Sequence, residues 1–309
     1  MEAIVRRPRL IGFGCFAVFL AGVLSASVAS AETAVVSSRS ELAIPPAQLV
    51  REVVYNELHE HESHGYWRYW IEKHAVNQAL IEEQVETQDG PVTRVQLMNG
   101  HTLSGSAQQD EDRRLQHLLT SPSEQAQHRK EYAEDEHRIG RILALLPDAF
   151  LYERVADQRL AEGDCYHLRF QPNPDYPAHS IESRIFHAMS GDLWISIQSK
   201  HLVRLDGRLQ QNVDFGFGIL GRLYKDGWFR LERTRATTGT GPGEWKTKRL
   251  EVHMIGRAML FKTIARETSE VRGGFEPVPM NMSLQQAVVM TREPLSVPAA
   301  VPVSLVTSR

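Results

Sequence analysis

The sequence predicts an α+β protein, with a large curved antiparallel β-sheet (a half-barrel) and a few helices covering its concave face. Three observations lead to this fold class. Strand-like segments recur at short, even spacing between residues 163 and 275. Turn sequences such as Asp206-Gly207 separate them and are typical of hairpins. Only two blocks, residues 46–61 and 110–146, have helical periodicity, which is too few to cover both faces of so wide a sheet.

The composition is that of a globular protein and excludes several other classes. Hydrophobic residues make up 42% of the 309 residues and charged residues 24%, so neither extensive disorder nor a multispan membrane protein is expected. The formal net charge is -3, from 35 basic and 38 acidic residues. A chain of this balance lacks the overall positive charge that phosphate binding uses, and we predict no nucleic-acid partner.

The N-terminus has the pattern of a secretory signal peptide. Three arginines precede the apolar run Leu10–Leu24, and Ala29-Ser30-Ala31 supplies the small residues of a cleavage site. The apolar run is short for an uncleaved membrane anchor. We therefore predict a signal peptide over residues 1–31, cleavage before Glu32 and a periplasmic location.

Export leaves the mature chain with one cysteine, Cys165, so an intrachain disulfide is excluded. Cys165 lies in the strand-like segment Asp164–Phe170, where a cysteine is most often a small buried residue.

The first elements after the signal are a helix and three strands. Leu49, Val50, Val53, Val54 and Leu58 have helical spacing and predict an amphipathic helix over Pro46–His61. Residues 66–73 are aromatic and β-branched, which predicts a strand, and alternation places Trp67, Tyr69 and Ile71 on one face. Segments 79–87 and 91–98 predict a hairpin that turns at Asp89-Gly90.

A polar helical stretch follows at residues 110–138 and continues into an apolar stripe formed by Ile139, Ile142, Leu143 and Leu146. Pro147 is expected to end this helix, and residues 148–156 to form a second short one. The strands expected after it are 164–170, 185–189, 193–199, 201–205, 208–215, 222–224, 228–234, 245–255 and 259–267.

The C-terminal end is rich in proline and valine. Residues 283–290 predict one short helix, and the residues after Pro294 a mobile tail that folding does not require. The predicted domains are the signal peptide (1–31), a half-barrel (46–278) and a Pro/Val-rich tail (279–309).

Motifs that would indicate chemistry fail on their context. Residues 216–221 spell Gly-x-Gly-x-x-Gly, but a hairpin follows where a dinucleotide site needs a helix, so no cofactor is predicted. His59, His61 and His64 lack the spacing of a zinc-binding helix, so no metal site is predicted. No nucleophile elbow and no carboxylate isolated in an apolar stretch was found. We therefore predict a protein without catalytic residues, not an enzyme.

Charge is distributed unevenly along the chain. Residues 51–138 contain 17 acidic and 9 basic residues, whereas residues 181–275 contain 10 acidic and 16 basic ones. Nine of the basic residues lie in strand segments: Arg230, Arg233, Arg235, Lys246, Lys248, Arg249, Arg257, Lys262 and Arg266. They are either ordinary solubilising charge on a sheet or a basic strand face that meets an acidic partner or anionic lipid head groups.

The order of elements resembles that of the outer-membrane lipoprotein-sorting superfamily, the LolA-like fold shared with LolB-like and RseB/MucB-like sensor domains. The residues that carry the likeness are Gly191-Asp-Leu-Trp-Ile195 and His201–Leu209, which look like two adjacent strands of the family that cross a turn. The resemblance covers roughly residues 46–278 and implies a carrier. Arg68 is the nearest residue by position to the arginine that locks the family's lid, but we do not assign it that role.

Two classes of function follow. In the first, the protein shelters lipid acyl chains or a lipidated partner in an apolar concavity lined by Trp67, Tyr69, Ile71, Leu143, Leu146, Leu193, Ile195 and Ile197. In the second, it is a regulatory or interaction module of the cell envelope whose sheet face binds another protein or an anionic membrane surface. An open dry cavity would favour the first class. A concavity filled by side chains, with a flat charged outer face, would favour the second.

Overall fold

The computed structural model describes residues 44–59, 65–75, 78–215, 221–237, 243–258 and 262–295, with the side chains of 262–266 left aside. The predicted signal peptide and its cleavage site, His61, His64, most of the glycine motif at 216–221, and residues 296–309 lie outside the described residues. Among the described helices, none combines the length and the apolar character needed to span a bilayer.

In the described part of the chain, fourteen antiparallel strands form one sheet that does not close into a barrel, and five helices pack on it, so the predicted fold class is confirmed. The helices are α1 (Pro46–His59), α2 (Gly105–Thr120), α3 (Pro122–Ala149), α4 (Ile181–Phe186) and α5 (Leu284–Met290). The strands are β1 (Tyr66–Ala75), β2 (Gln78–Val85), β3 (Val92–Met98), β4 (His101–Thr102), β5 (Phe150–Arg154), β6 (Gln158–Leu160), β7 (Gly163–Pro172), β8 (Met189–Ser196), β9 (Leu202–Leu209), β10 (Val213–Phe215), β11 (Gly221–Leu223), β12 (Trp228–Ala236), β13 (Glu244–Ala258) and β14 (Lys262–Val278). The main path across the sheet runs β4-β3-β2-β1-β14-β13-β12-β9-β8-β7-β5.

One face of the sheet, here called the inner face, carries the larger core. The strand register aligns Leu193, Leu205, Leu231 and Leu250 in one row across β8, β9, β12 and β13. Helices α1, α3 and α4 pack on this row through side chains that include Val50, Val53, Ile142, Ile185 and Phe186. Burial of these apolar stripes is the main free energy that holds the helices on the sheet.

The opposite, outer face is also covered by helices, at β1–β3. Val85 and Val92 pair across β2 and β3 and pack against Leu115 of α2 and Ala287 of α5. The expectation that every helix covers one face is therefore wrong. The physical reason is that α2 and α5 each bury a short apolar stripe of their own, which needs a second sheet surface. The boundary predicted after Val278 consequently falls inside a packed region, because α5 belongs to this second core.

Helix α2 also covers the exposed edge of β3. The Glu111 carboxylate, 2% exposed, accepts a hydrogen bond from the Val95 backbone N–H at 3.0 Å. The Arg114 guanidinium donates to the Thr93 carbonyl at 2.5 Å. Side chains thus satisfy backbone groups that an edge strand would otherwise offer to another chain.

A network around Arg68 holds the C-terminal segment onto β1 and β2. Arg68 Nε lies 2.6 Å from Glu83 Oε1, and its Nη2 donates to the Met290 carbonyl at 3.1 Å and to the Glu293 carbonyl. Glu83 also accepts the Leu295 backbone N–H at 3.2 Å. The packed part of the chain therefore extends to Leu295.

The polar helical block differs from its prediction in two ways. It breaks at Ser121, whose side chain caps α3 and which is followed by Pro122 at the first helical position, so one long helix becomes α2 and α3. Pro147 lies inside the last turn of α3 and does not end the helix, which continues to Ala149. Residues 150–154, expected to be helical, form strand β5 on the sheet edge.

Gly207, expected in a turn, lies within a strand instead, and so does Gly191. Gly191 and Gly207 pair with each other across β8 and β9, and β9 runs without interruption through Asp206-Gly207. A Cβ on Gly191 would lie 2.8 Å from the Phe170 ring, and one on Gly207 would lie 2.4 Å from the Phe229 ring. These glycines are required because aromatic rings pack on the backbone there. Residues 185–189, expected to be a strand, instead begin in helix α4.

Candidate functional site

The structure places the predicted pocket residues on the inner face, with one exception. Lys73 pairs with Glu270 and Glu270 with Leu250, which by alternation puts Trp67, Tyr69 and Ile71 on the same face as Leu193 and Ile195. Leu143 and Leu146 of α3 pack against this face from above. Ile197 lies in the turn after β8, so its predicted position on the strand is wrong. The turn begins at Ile197 because Lys200 adopts a positive φ of 55° and brings the chain back.

These residues belong to two separate clusters. Leu143, Leu146, Leu193 and Ile195 share the large core of the inner face. The β1 residues Trp67, Tyr69 and Ile71 form a second cluster with Ala236 and Phe275. The fold therefore does not bring these residues together into a single pocket wall.

The strand residues of both clusters are covered by other side chains. Trp67 and Tyr69 are each 3% exposed, and Ile195 is fully buried. Two surface cavities of the described residues lie elsewhere and have mostly polar linings. One of about 410 Å³ lies between α1 and Lys200, and the other, of about 520 Å³, lies between α3 and the β2–β3 turn. Neither cavity is lined by a predicted pocket residue.

The aromatic cluster on β1 rests on a buried charged network that the sequence analysis missed. The Trp67 indole N–H donates to Glu244 Oε2 at 2.5 Å, and Lys246 Nζ lies 2.6 Å from Glu244 Oε1. Lys246 Nζ also lies 3.1 Å from the Glu86 carboxylate, which accepts the Trp67 backbone N–H. Glu244 is 3% exposed, so the charges are compensated locally. The network joins the start of β1 to the start of β13.

One sequence signal could have indicated part of this network. Glu82, Gln84 and Glu86 alternate along the hairpin segment, so their side chains share one face of the sheet. Gln84 pairs directly with Tyr69 of the preceding strand, so this is the face that carries the aromatic side chains. Polar side chains on a face that pairs with Trp and Tyr need buried partners. Glu82 and Gln84 find theirs on the preceding strand, in Lys73 and Tyr69, whereas the partner of Glu86 is Lys246, which lies 160 residues further along the chain and carries no comparable signal.

Two tyrosines near the network have perturbed phenols. Burial raises the pKa of Tyr69, and the negative charge of Glu86 raises it further. The Gln84 side chain donates to the Tyr69 hydroxyl at 2.5 Å. Burial also raises the pKa of Tyr132 on α3, with added contributions from Glu136 and Glu86. Both phenols therefore remain protonated, and that of Tyr69 accepts the hydrogen bond of Gln84.

The outer face of β7, β8, β9, β12 and β13 carries two rows of polar side chains, here called the outer ladder. The first row is His167, Trp194, Arg204, Glu232 and Arg249, and the second is Arg169, Asp192, Asp206, Arg230 and Glu251. Asp206 accepts from Arg204 at 2.5 Å and from Arg230 at 3.1 Å. The Trp194 ring stacks on the His167 ring, with 4.7 Å between the ring centroids. The Arg204 guanidinium lies over the Trp194 ring, 4.8 Å from its centroid. No described helix packs on this ladder.

The basic strand residues whose contacts are described do not combine into one positively charged strand face. Arg230 and Arg249 lie on the outer ladder beside Glu251 and Glu232. Arg233 pairs with Glu57 of α1 on the inner side, and Lys246 belongs to the buried network. Cross-strand pairing with acids explains why a local excess of basic residues in the sequence does not become a basic surface.

Cys165 occupies the position predicted for it. It lies on β7, is 1% exposed and packs against Trp194, Val203 and Trp245. Burial, followed by the nearby Asp164 and Glu162, raises the pKa of its thiol to about 11. The thiol is therefore neutral at physiological pH and has a structural role.

Comparisons with known proteins give likenesses of fold. No family model and no curated protein matches the chain. Among solved structures, a DUF1329 family protein from Desulfovibrio piger is 10% identical, with 75% of this chain and 93% of that chain covered and a TM-score of 0.29. A putative outer membrane lipoprotein-sorting protein domain from Vibrio parahaemolyticus is 7% identical, with 74% and 93% covered and a TM-score of 0.31.

A third similar structure is MucB in complex with MucA(peri), which is 10% identical, with 75% of this chain and 98% of that chain covered and a TM-score of 0.21. The lipoprotein-sorting and MucB-like groups to which the sequence was compared are thus found again among solved structures. At these TM-scores the likenesses carry no argument about function, which has to come from the chain's own residues.

Proposed function

We propose that this chain is an exported interaction module of the cell envelope that binds a protein partner on its outer ladder. One observation carries the proposal: the inner face is filled by side chains, while no described helix covers the outer face of five strands, where the polar side chains are ordered by charge. Ile195 and Leu209 are both fully buried under the inner-face helices. A filled concavity with a charged outer face is the combination expected for an interaction module.

The pattern of charge on the outer ladder favours a protein over a membrane. Both rows mix acids and bases, as in the pairs Arg204–Glu232 and Asp206–Arg230, so neither row has one sign of charge. An anionic bilayer attracts a surface with net positive charge, whereas mixed charges select a partner whose own charges match in position. Stacking on Trp194 keeps the side chains of His167 and Arg204 in fixed orientations, which reduces the conformational entropy lost on binding.

Shelter of an acyl chain is the second candidate, and it requires the inner face to open. Tyr132, on the polar first half of α3, is close enough to Tyr69 to affect the pKa of its phenol, so this half of α3 borders the aromatic cluster of Trp67, Tyr69 and Ile71. Displacement of that half would uncover an aromatic surface suited to an acyl chain. The energetic obstacle is the buried network of Glu86, Glu244 and Lys246, which would lose its cover.

Site-specific photo-crosslinking in the native host tests the proposal. A photoreactive phenylalanine replaces Arg169 at the end of the second ladder row, or Arg208 beside the ladder, in the full chain, and Gln116 on α2 is the matched exposed control. We expect a discrete crosslinked protein from positions 169 and 208 that is absent at position 116 and is lost when Arg230→Glu is added. Equal crosslinking at all three positions, or none at 169 and 208, contradicts the proposal. Saturable binding of a fluorescent fatty acid by the purified protein would support the acyl-carrier candidate instead.

A further inference from the structure

The first half of α3, residues 122–138, is held on the rest of the protein by a narrow contact. None of these residues is buried, whereas the second half of the helix buries Ile142 and Ala149. The half-buried residues of the first half lie three or four positions apart, on one side of the helix: Gln125, His128, Tyr132 and Asp135. A segment with so little buried apolar surface has a low local stability, so its few contacts determine whether it stays docked.

His128 and Tyr132 dock this half of α3 at the β2–β3 turn. A Cβ built on Gly90 would lie 3.0 Å from the Tyr132 Cβ and 3.1 Å from His128 Nε2, so both side chains lie directly against the glycine backbone. Glycine permits this approach, and its φ of 101° also suits the turn. Docking of the first half of α3 therefore depends on the fit of an imidazole ring against a tight turn.

The docked imidazole of His128 is in an environment that disfavours a second proton. Its Nε2 atom is buried and has no hydrogen-bond partner among the described residues. A protonated ring carries a positive charge and an N–H donor at each nitrogen, so it needs acceptors or water at both. Protonation of the docked ring therefore costs free energy, which water repays once the ring is released.

The charges around His128 do not cancel this cost. Burial is the largest effect and lowers the pKa of His128, and Arg114 of α2 acts in the same direction. The Gly90 backbone, Asp89 in the turn and Glu131 on α3 act in the opposite direction. Because the docked ring binds a proton more weakly than a free histidine, release of the ring takes up a proton. Docking is therefore favoured above the ordinary histidine pKa of about 6.5 and weakens as the pH falls below it.

We propose that the first half of α3 is an acid-sensitive element, which protonation of His128 releases from the β2–β3 turn. Release uncovers the turn and the stripe of half-buried residues that now rests on the protein. The element uses none of the outer-ladder residues and does not depend on the function proposed above.

Hydrogen–deuterium exchange of the mature protein, measured by mass spectrometry at about pH 7.5 and about pH 5.5, tests the proposal on the two sides of the histidine pKa. Protection of residues 122–138 is corrected for the intrinsic pH dependence of amide exchange, and peptides of α1 report the stability of the whole fold. His128→Gln removes the titratable group, and His128→Leu fills the same space with an apolar side chain. His137→Gln is the matched control, because His137 is an exposed histidine of the same segment.

We expect protection of residues 122–138 in the wild-type protein to fall by about threefold to tenfold at the lower pH, because a free histidine is about tenfold more protonated than neutral one unit below its pKa. Protection of α1 should change by less than about twofold. The fall should persist in His137→Gln and disappear in His128→Gln; if glutamine itself releases the segment at the higher pH, the response of His128→Leu replaces it. Unchanged protection in the wild type, an equal fall in α1, or a pH response that persists in a docked His128 variant would overturn the proposal.

Discussion

Replacement of Arg68 by methionine should destabilise the protein by about 3–5 kcal/mol, the cost of leaving a buried carboxylate without its charged partner. Glu83 is 1% exposed, and Arg68 Nε lies 2.6 Å from its carboxylate. After substitution, the donors left to Glu83 are the Gln96 amide at 3.1 Å and the Leu295 backbone N–H at 3.2 Å, both neutral. Methionine preserves most of the apolar stem, so the loss reports the ion pair and the hydrogen bonds to the C-terminal segment.

Urea unfolding followed by tryptophan fluorescence measures this loss, and the melting temperature should fall by about 10 °C or more for a domain of this size. Arg51→Met is the matched control, because the ion pair of Arg51 with Asp148 is also short, at 2.7 Å, but both side chains are more than half exposed. The control should lose less than about 1 kcal/mol. The double variant Arg68→Met/Glu83→Gln should recover much of the lost stability. A loss below about 1 kcal/mol for Arg68→Met, or no recovery in the double variant, would refute the reasoning.

Three further predictions concern the turn, the thiol and the tail. Gly90→Ala should lose about 1–3 kcal/mol in the same unfolding assay, because φ is 101° and α3 leaves no room for a Cβ; an unchanged stability would contradict the packing of α3 on the turn. Native Cys165, whose pKa is raised to about 11, should not react with a disulfide reagent at about pH 8 until the protein is unfolded; rapid reaction in the native state would disprove its burial. Truncation after Leu295 should lower the melting temperature by less than about 4 °C, whereas truncation after Pro279, which removes α5, should lower it by far more; similar effects would mean that α5 adds no stability.

Local sequence pattern determined a large part of this fold. The spacing of Leu49, Val50, Val53 and Val54 predicts α1, and all four are buried. Alternation in β1 places Trp67, Tyr69 and Ile71 on one face, as observed, and Asp89-Gly90 identifies the β2–β3 hairpin. These predictions succeed because side-chain periodicity and turn conformation depend on neighbours in the chain.

Some residue types fit two different structural environments, and the local sequence does not show which of the two a given residue occupies. Glycine permits a tight turn, but it also permits close packing of a ring on the backbone, and Gly191 and Gly207 serve the second use. The choice depends on Phe170 and Phe229, which belong to other strands. For the same reason, Leu115 and Ala287 could not be assigned to the outer face before the sheet showed which surfaces remain to be covered.

The sequence by itself therefore predicted an export signal, and it determined the antiparallel sheet and the apolar faces of most elements. Each of these features depends on a short stretch of chain. Only the tertiary structure decided that the inner face is filled, that Glu86, Glu244 and Lys246 meet beside Trp67, and that Arg230, Arg233 and Arg249 pair with acids. Those outcomes depend on the register of strands that are distant in the chain, and a shift of one residue would move every such side chain to the other face.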